Sequence, residues 1–152
     1  MGQPFYETPA DVARERAIAE EAQRVWCCPL VKLKTAFPCD WGAIRADGQL
    51  RAFVEIKDRN GYSLRQLDEL GGVFFSLMKW SQCEHLCRLA DRPFIFVVRL
   101  AGVLWFHHTW SRYMSQHDGV RNCGRSDRGD PDDIEPCVLL RAHRFKQLSE
   151  PL

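Results

Sequence analysis

The stretch Asp40-Trp41-Gly42-Ala43-Ile44-Arg45-Ala46-Asp47-Gly48-Gln49-Leu50-Arg51-Ala52-Phe53-Val54-Glu55-Ile56-Lys57 decides how this chain folds. Two strand-like runs, Asp40 to Arg45 and Gln49 to Lys57, flank Asp47-Gly48. Asp-Gly between apolar runs is the strongest short-range hairpin signal, and it predicts two strands joined by a two-residue type I′ turn. That turn sets the register. Ala46 faces Gln49, and counting outward brings Asp40 opposite Glu55. Lys57 lies two residues beyond Glu55 and projects from the same face, because side chains alternate along a strand.

Facing carboxylates on neighbouring strands repel, since their Cβ atoms stand roughly 4.5–5.5 Å apart. A divalent cation removes that repulsion. Mg²⁺ takes oxygen ligands and is usually held by one or two carboxylates, with waters and phosphate oxygens completing its shell. Such an ion polarises a phosphoryl oxygen and makes a bound water a nucleophile. Lys57 is then placed to position or deprotonate that water, or to stabilise charge building on phosphorus. The plain alternative is a solvated hairpin face held by ordinary ion pairs. Three features favour the chemical reading. Glu55 sits inside the apolar run Phe53-Val54-Glu55-Ile56, where an unpartnered charge is costly. The turn independently brings Asp40 across from it. A helix with an inward-facing glutamate precedes the hairpin.

That helix opens at Thr8-Pro9, with Thr as N-cap and Pro at the first helical position, and runs to about Trp26. Its apolar stripe centres on Ile18, with Ala22 and Val25 on the same face. Glu15 falls inside the stripe, Glu21 borders it, and Glu20 points away. Pro29 to Thr35 reads as a strand. After the hairpin come a polar, helix-compatible piece at Ser63 to Leu70, a short apolar Val73-Phe74-Phe75, and a helix from about Leu77 to Ala90. Phe94 to Arg99 is a compact apolar run typical of a buried strand, turned at Ala101-Gly102 into Val103 to Phe106. Ser115 to Pro136 is rich in Gly, Asp, Arg and Asn and reads as a long mobile loop, with Val138 to Arg141 as a final edge strand. No repeat or linker divides the chain, so 1–152 is expected to be one domain, with a core at about 10–107 and a loop-rich part at 108–152.

The 152 residues are enough for a real core, and 45% hydrophobic with 27% charged residues excludes a disordered chain. A net charge of +1 means that any nucleic-acid surface is local. The first twenty residues are polar and charged, so no signal peptide is expected. Tyr6 stands where myristoylation after Met1-Gly2 needs Ser or Thr. No apolar run is long enough to span a bilayer. Seven cysteines, with Cys27-Cys28 adjacent, do not fit a secreted disulfide framework, so a cytoplasmic location is expected.

Taken in order, Glu15, then Pro38-Cys39-Asp40, then Glu55-Ile56-Lys57, the residues resemble the PD-(D/E)XK nuclease superfamily. Its pattern is a helix with a glutamate, a strand, an acid near a proline, and a strand ending in Glu-x-Lys. The nearest look-alikes are Holliday-junction-resolvase-like proteins and small phage or prophage nucleases, which carry a Glu-Arg-x-Ile helix motif similar to Glu15-Arg16-Ala17-Ile18. The resemblance covers roughly residues 10 to 107. Two departures stand out. Cys39 separates Pro38 from Asp40, and the insertion between Lys57 and the second helix is long.

The resemblance implies an α/β, restriction-endonuclease-like core with a central mixed sheet flanked by helices. It also implies Mg²⁺-dependent (or Mn²⁺-dependent) hydrolysis of DNA, with branched or junction DNA as a candidate substrate. Asp40, Glu55 and the Ile56 carbonyl would hold the metal. Lys57 would be base or charge stabiliser, and Glu15 would order the metal's waters or bind a second ion. DNA is the expected partner, a membrane is not, and a homodimer is left open. Lys34, Lys79, Gln82 and Arg59 are candidates for substrate contact, and Arg59, Arg65 and Arg45 could extend a basic path for phosphates. One rival is a catalytically inactive nucleic-acid-binding or regulatory protein of the same fold. Another is a zinc module built on Cys83, Cys87, His85 and His107-His108, although paired Cys-x-x-Cys units are missing and buried thiols are simpler. Trp80, Trp105 and Trp110 could stack on bases but read first as core.

Overall fold

The computed structural model of the protein describes residues 8–124 and 134–151; Met1-Gly2, Tyr6 and the stretch 125–133 of the expected loop lie outside the described residues. Helix α1 (Pro9–Trp26) is followed by β1 (Leu30–Lys32), β2 (Trp41–Ile44), β3 (Leu50–Asp58), α2 (Leu64–Glu69), β4 (Val73–Ser76) and α3 (Leu77–Ala90). Then come β5 (Phe94–Leu100), β6 (Val103–Thr109), β7 (Val120–Gly124), β8 (Ile134–Leu140) and β9 (Lys146–Gln147). Six strands form a central sheet in the order β1-β2-β3-β5-β6-β9, while β4-β8-β7 form a second sheet. In the central sheet β3 and β5 run parallel and the other pairs antiparallel, so the sheet is mixed. The fold is therefore α/β with a central mixed sheet flanked by helices.

Local chemistry explains the first helix. Thr8 accepts from the Asp11 amide while Asp11 reaches back to the Thr8 amide, a capping box, and the helix stops where Cys27 turns left-handed at φ 51°. Ile18, Ala19, Ala22 and Trp26 bury one stripe against Val54, Ile56, Ile95 and Val97 of the sheet. The opposite face packs Phe53, Phe94 and Phe96 against Trp80, Cys83 and Cys87 of α3 and against Val73, Phe75, Val138 and Leu140 of the second sheet. Alternation along β3 thus sends Val54 and Ile56 to α1, and Phe53, Glu55 and Lys57 to α3.

The central hairpin keeps the expected partners but not the expected turn. Arg45 N donates to Gln49 O at 2.8 Å and Gly48 N to Arg45 O at 2.9 Å, closing a three-residue loop. Gly48 has φ 83° whereas Asp47 stays out of the left-handed region, so this is not type I′; a type I turn with Gly in the left-handed position fits instead. That loop pairs Ile44 with Leu50. A bulge at Arg51 then shifts the register to Ala43↔Ala52 and Trp41↔Val54. One extra loop residue and one bulge cancel, and Asp40 still arrives beside Glu55. A turn with two left-handed residues does occur, at Ala101-Gly102 (φ 47° and 79°), where Leu100 pairs with Val103.

Other expectations need correction. The first strand is only Leu30–Lys32, because the chain turns at Lys34 to Phe37, where Phe37 N donates to Lys34 O. The polar loop expected over 115–136 contains β7. The expected edge strand at Val138 to Arg141 is instead β8, central in its sheet between β4 and β7. Val138 and Leu140 bury against the phenylalanine-rich core, which is why a strand forms there. Among the described residues no helix is long and apolar enough to cross a membrane.

Candidate active site

The site forms where β3 outruns its neighbour. Strand β2 ends with Trp41 opposite Val54, so Glu55 to Asp58 are paired with β5 on one side and extend past β2 on the other. Asp40 sits at that corner, and its amide donates to Glu55 Oε2 at 3.3 Å. The Glu55 side chain has no exposed surface. It is neutralised by two cations: Lys57 Nζ at 3.1 Å and Lys79 Nζ at 2.5 Å, both on Oε1. Lys79, from the first turn of α3, also reaches Asp40 Oδ2 at 3.3 Å. Ser76 caps α3 by accepting from the Lys79 amide, which fixes where that side chain starts.

The electrostatics follow from burial against pairing. Burial lifts Glu55 above the usual glutamate range, with Lys57 and Lys79 pulling the other way. Burial also works against the charge on Asp40, yet Lys79, the Glu55 carboxyl and Lys57 together hold it below the usual aspartate range. Burial weakens the charge of Lys79 as well, but Glu55 and Asp40 keep it protonated well above the usual lysine range. The two acids do share one small volume, and the tension falls on the more buried of them.

Glu15 lies on the α1 face of the sheet, whereas Glu55 points to α3. Its Oε1 accepts from the Trp41 indole at 2.6 Å and pairs with Lys32 Nζ at 2.6 Å. Among the described residues no hydrogen bond or ion pair joins Glu15 to Asp40 or Glu55. It does share a cavity of about 190 Å³ with Lys57, Arg14 and Asp58, at the same end of β3. Glu20 is exposed, and Glu21 pairs with Arg99 at 3.3 Å.

The remaining sequence candidates scatter. Lys34 stays exposed in the turn after β1, and Lys32 is the lysine that meets Glu15. Gln82 is exposed one turn beyond Lys79 and lines a groove with Phe37 and Pro38. Arg59 turns inward, donating to the Phe74 carbonyl and lying 3.9 Å from the centre of its ring. Arg65 pairs with Glu69 on the surface of α2, and Arg45 with Asp47 at the far end of the hairpin. These three arginines occupy three places and make no continuous path. Sequence reasoning missed Lys32 and Asp58. Alternation along β3 would have put Asp58 on the α1 face, where its Oδ1 is buried without a hydrogen-bond partner among the described residues.

For a divalent cation, the donor set is two carboxylates that already converge on one positive charge, the Lys79 ammonium, with the Ile56 carbonyl adjacent in sequence. All-oxygen donors of this number suit Mg²⁺ or Mn²⁺, which keep water and phosphate ligands. Among the described residues no three His, Cys, Asp or Glu side chains gather into a cage. The zinc candidates are arranged otherwise. Cys83 and Cys87 are buried on α3, Cys39 Sγ approaches Cys83 Sγ to 3.0 Å, and His85 is exposed. His107 lies against the Arg144 carbonyl at 3.0 Å and stacks on Trp80.

Comparison with known proteins matches a family model and several solved structures. The model of the family described as "Phage putative PDDEXK endonuclease" matches residues 1–148. Among solved structures, Hjc of Archaeoglobus fulgidus, a Holliday junction resolvase from an archaeal hyperthermophile, is similar with a TM-score of 0.51 and 12% identity, over 89% of this chain and 96% of that one. At that identity the likeness speaks for the fold, which is restriction-endonuclease-like. No curated protein sequence matches.

Proposed function

This chain belongs to that family of phage PDDEXK endonucleases, and from that premise we propose that it hydrolyses phosphodiester bonds in DNA with Mg²⁺ or Mn²⁺ at Asp40 and Glu55. The observation that carries the reading is the convergence of Asp40, Glu55, Lys57 and Lys79 at the free end of β3. Asp40, Glu55 and the Ile56 carbonyl would hold the metal, which when bound polarises a phosphoryl oxygen and acidifies water. The protein's own groups do the rest. Lys57, tethered to Glu55 and partly exposed, positions the attacking water or meets charge on phosphorus as an ammonium, and would act as base only after giving up its own proton. Lys79, released from the acids, has a phosphate oxygen as its natural next partner. Glu15 holds Lys32 and Trp41 in place behind the site, from where it would order the metal's waters or bind a second ion.

Junction or otherwise branched DNA is the favoured substrate in this reading, prompted by the likeness to a Holliday junction resolvase. Seven free cysteines fit a reducing compartment, so action in the cytoplasm belongs to the same reading. The test is incubation with plasmid, linear, single-stranded and four-way-junction DNA, with and without Mg²⁺ or Mn²⁺. Metal-dependent cleavage that disappears in Glu55→Ala supports the proposal. Binding without cleavage under any of these conditions would make the protein an inactive binder of the same fold. Paired, symmetric cuts on the junction would mark action as a homodimer, and single nicks action as a monomer.

A further inference from the structure

At the opposite end of β3 from the acids is a second cavity, of about 450 Å³, lined by Arg45, Arg51, Arg92, His108 and Trp110. No carboxylate is among its lining side chains. The three arginines come from separate places: Arg45 precedes the hairpin loop, Arg51 is the bulged residue of β3, and Arg92 lies between α3 and β5. With a net charge of +1 over the chain, such a gathering is a local feature of this corner.

Arg92 and Arg45 are held in different ways. Arg92 donates through Nε to the Leu50 carbonyl at 2.7 Å and through Nη1 to the Asp91 carbonyl at 2.8 Å, which fixes its fork at the rim. Arg45 pairs with Asp47 at 3.3 Å, and both are exposed. Such a surface pair is worth little and can be exchanged for a phosphate. His108 feels the field here, since burial first, then Arg51 and Lys146, hold its imidazole below the usual range. Trp110 adds an aromatic wall, with the Arg112 guanidinium 5.8 Å from its ring centre. Guanidinium forks match phosphate oxygens in geometry as well as charge.

We propose that this cavity is a second phosphate-binding site, which grips the sugar-phosphate backbone of the nucleic acid substrate away from the bond being cut. The proposal rests on the nuclease reading above. Arg51 precedes Glu55 by four strand residues, about 13 Å along β3. That distance is several times the ~3.4 Å axial spacing of charges on one DNA strand, so the grip falls on another phosphate than the scissile one.

The test is DNA binding in EDTA across a salt series, so that no strand is cut. Every phosphate that the protein no longer neutralises lowers the slope of log affinity against log salt by about 0.9. The double variant Arg45→Gln/Arg51→Gln is expected to bind more weakly, with a slope lower by about 1.8. Arg45→Lys/Arg51→Lys, which keeps the charges, should retain most of the slope, and melting curves confirm that each variant is folded. Arg24→Gln/Arg88→Gln removes equal charge from exposed helix positions and should leave the slope unchanged. An unchanged slope in the first variant, or an equal loss in the helix control, overturns the proposal. The two readings fail separately. Wild-type protein that cuts DNA while the slopes coincide defeats only the second site, and wild-type protein that neither binds DNA in EDTA nor cuts it with Mg²⁺ or Mn²⁺ defeats both.

Discussion

Glu55 has no exposed surface and touches two ammonium groups, so each lysine around it has a separable job. Lys57→Ala should lower the cleavage rate at least ~100-fold, the scale on which a positioned acid or base acts. Metal affinity should survive, because a cation is not a ligand. Calorimetry with Mn²⁺ checks this, and a loss of binding as complete as in Asp40→Ala would show that the roles are divided wrongly. Lys79 behaves differently because it bridges both acids. Lys79→Ala leaves Lys57 on Glu55 but takes the ion-pair partner from Asp40 and one of two from the buried Glu55, so it should destabilise the metal-free protein by about 2 kcal/mol, less than breaking a fully buried pair. Added Mg²⁺ should then raise the melting temperature of Lys79→Ala by more than that of the wild type, since the metal no longer displaces an ammonium. Equal shifts would mean that the metal binds elsewhere. Strand alternation and one turn make Asp40, Glu55 and Lys57 legible in the sequence. The bridging role of Lys79 is not legible there, because its partners lie 39 and 24 residues away along the chain.

Among the elements, α1 follows its sequence most closely, since cap, stripe and stop are all local signals. Its wheel predicts Glu15 inward and Glu20 outward, and the helix presents them so: Glu15 meets Lys32 and Trp41, while Glu20 is exposed. Glu15→Gln is expected to slow cleavage at least tenfold, about 1.4 kcal/mol of barrier, and Glu20→Gln to change it little. Single-turnover rates at saturating Mg²⁺ decide. A larger effect of Glu20→Gln would require another inward face, and no effect of either would leave α1 as scaffold. The hairpin reaches the right partners through a different turn. A bulge at Arg51 is invisible to composition, and it offsets the extra loop residue.

Over the whole molecule, the second sheet depends on contacts that close long loops. Asp118, just before β7, accepts from the Arg141 amide at 2.7 Å and from Arg144 Nε and Nη2 at 2.6 and 3.0 Å, beyond β8. The Arg144 hydrogen bonds above all hold its carboxyl below the usual aspartate value of 3.8. A lowered folded-state pKa contributes stability that is present above 3.8 and lost as pH falls through the folded value. Asp118→Asn should therefore cost about 1 kcal/mol near neutral pH, a modest figure for a clasp open to solvent. Denaturant melts of both proteins in an acid series check it: the gap should close as pH drops below 3.8, and a constant gap would show that the charge is not what matters.

By itself the sequence determined α1, the central hairpin partners, α3, the buried strand β5 and the acid-acid-lysine face. Those features rest on periodicity, caps and turn chemistry, which act over a few residues. Only the tertiary structure decided that β8 is a central strand, that Arg59 goes inward to Phe74, that Lys79 bridges Asp40 and Glu55, and that Arg45, Arg51 and Arg92 line one cavity. The physical reason is the same in each case. The stabilising partner is distant in the chain, and apolar burial or charge pairing across such a distance leaves no period in the sequence to read.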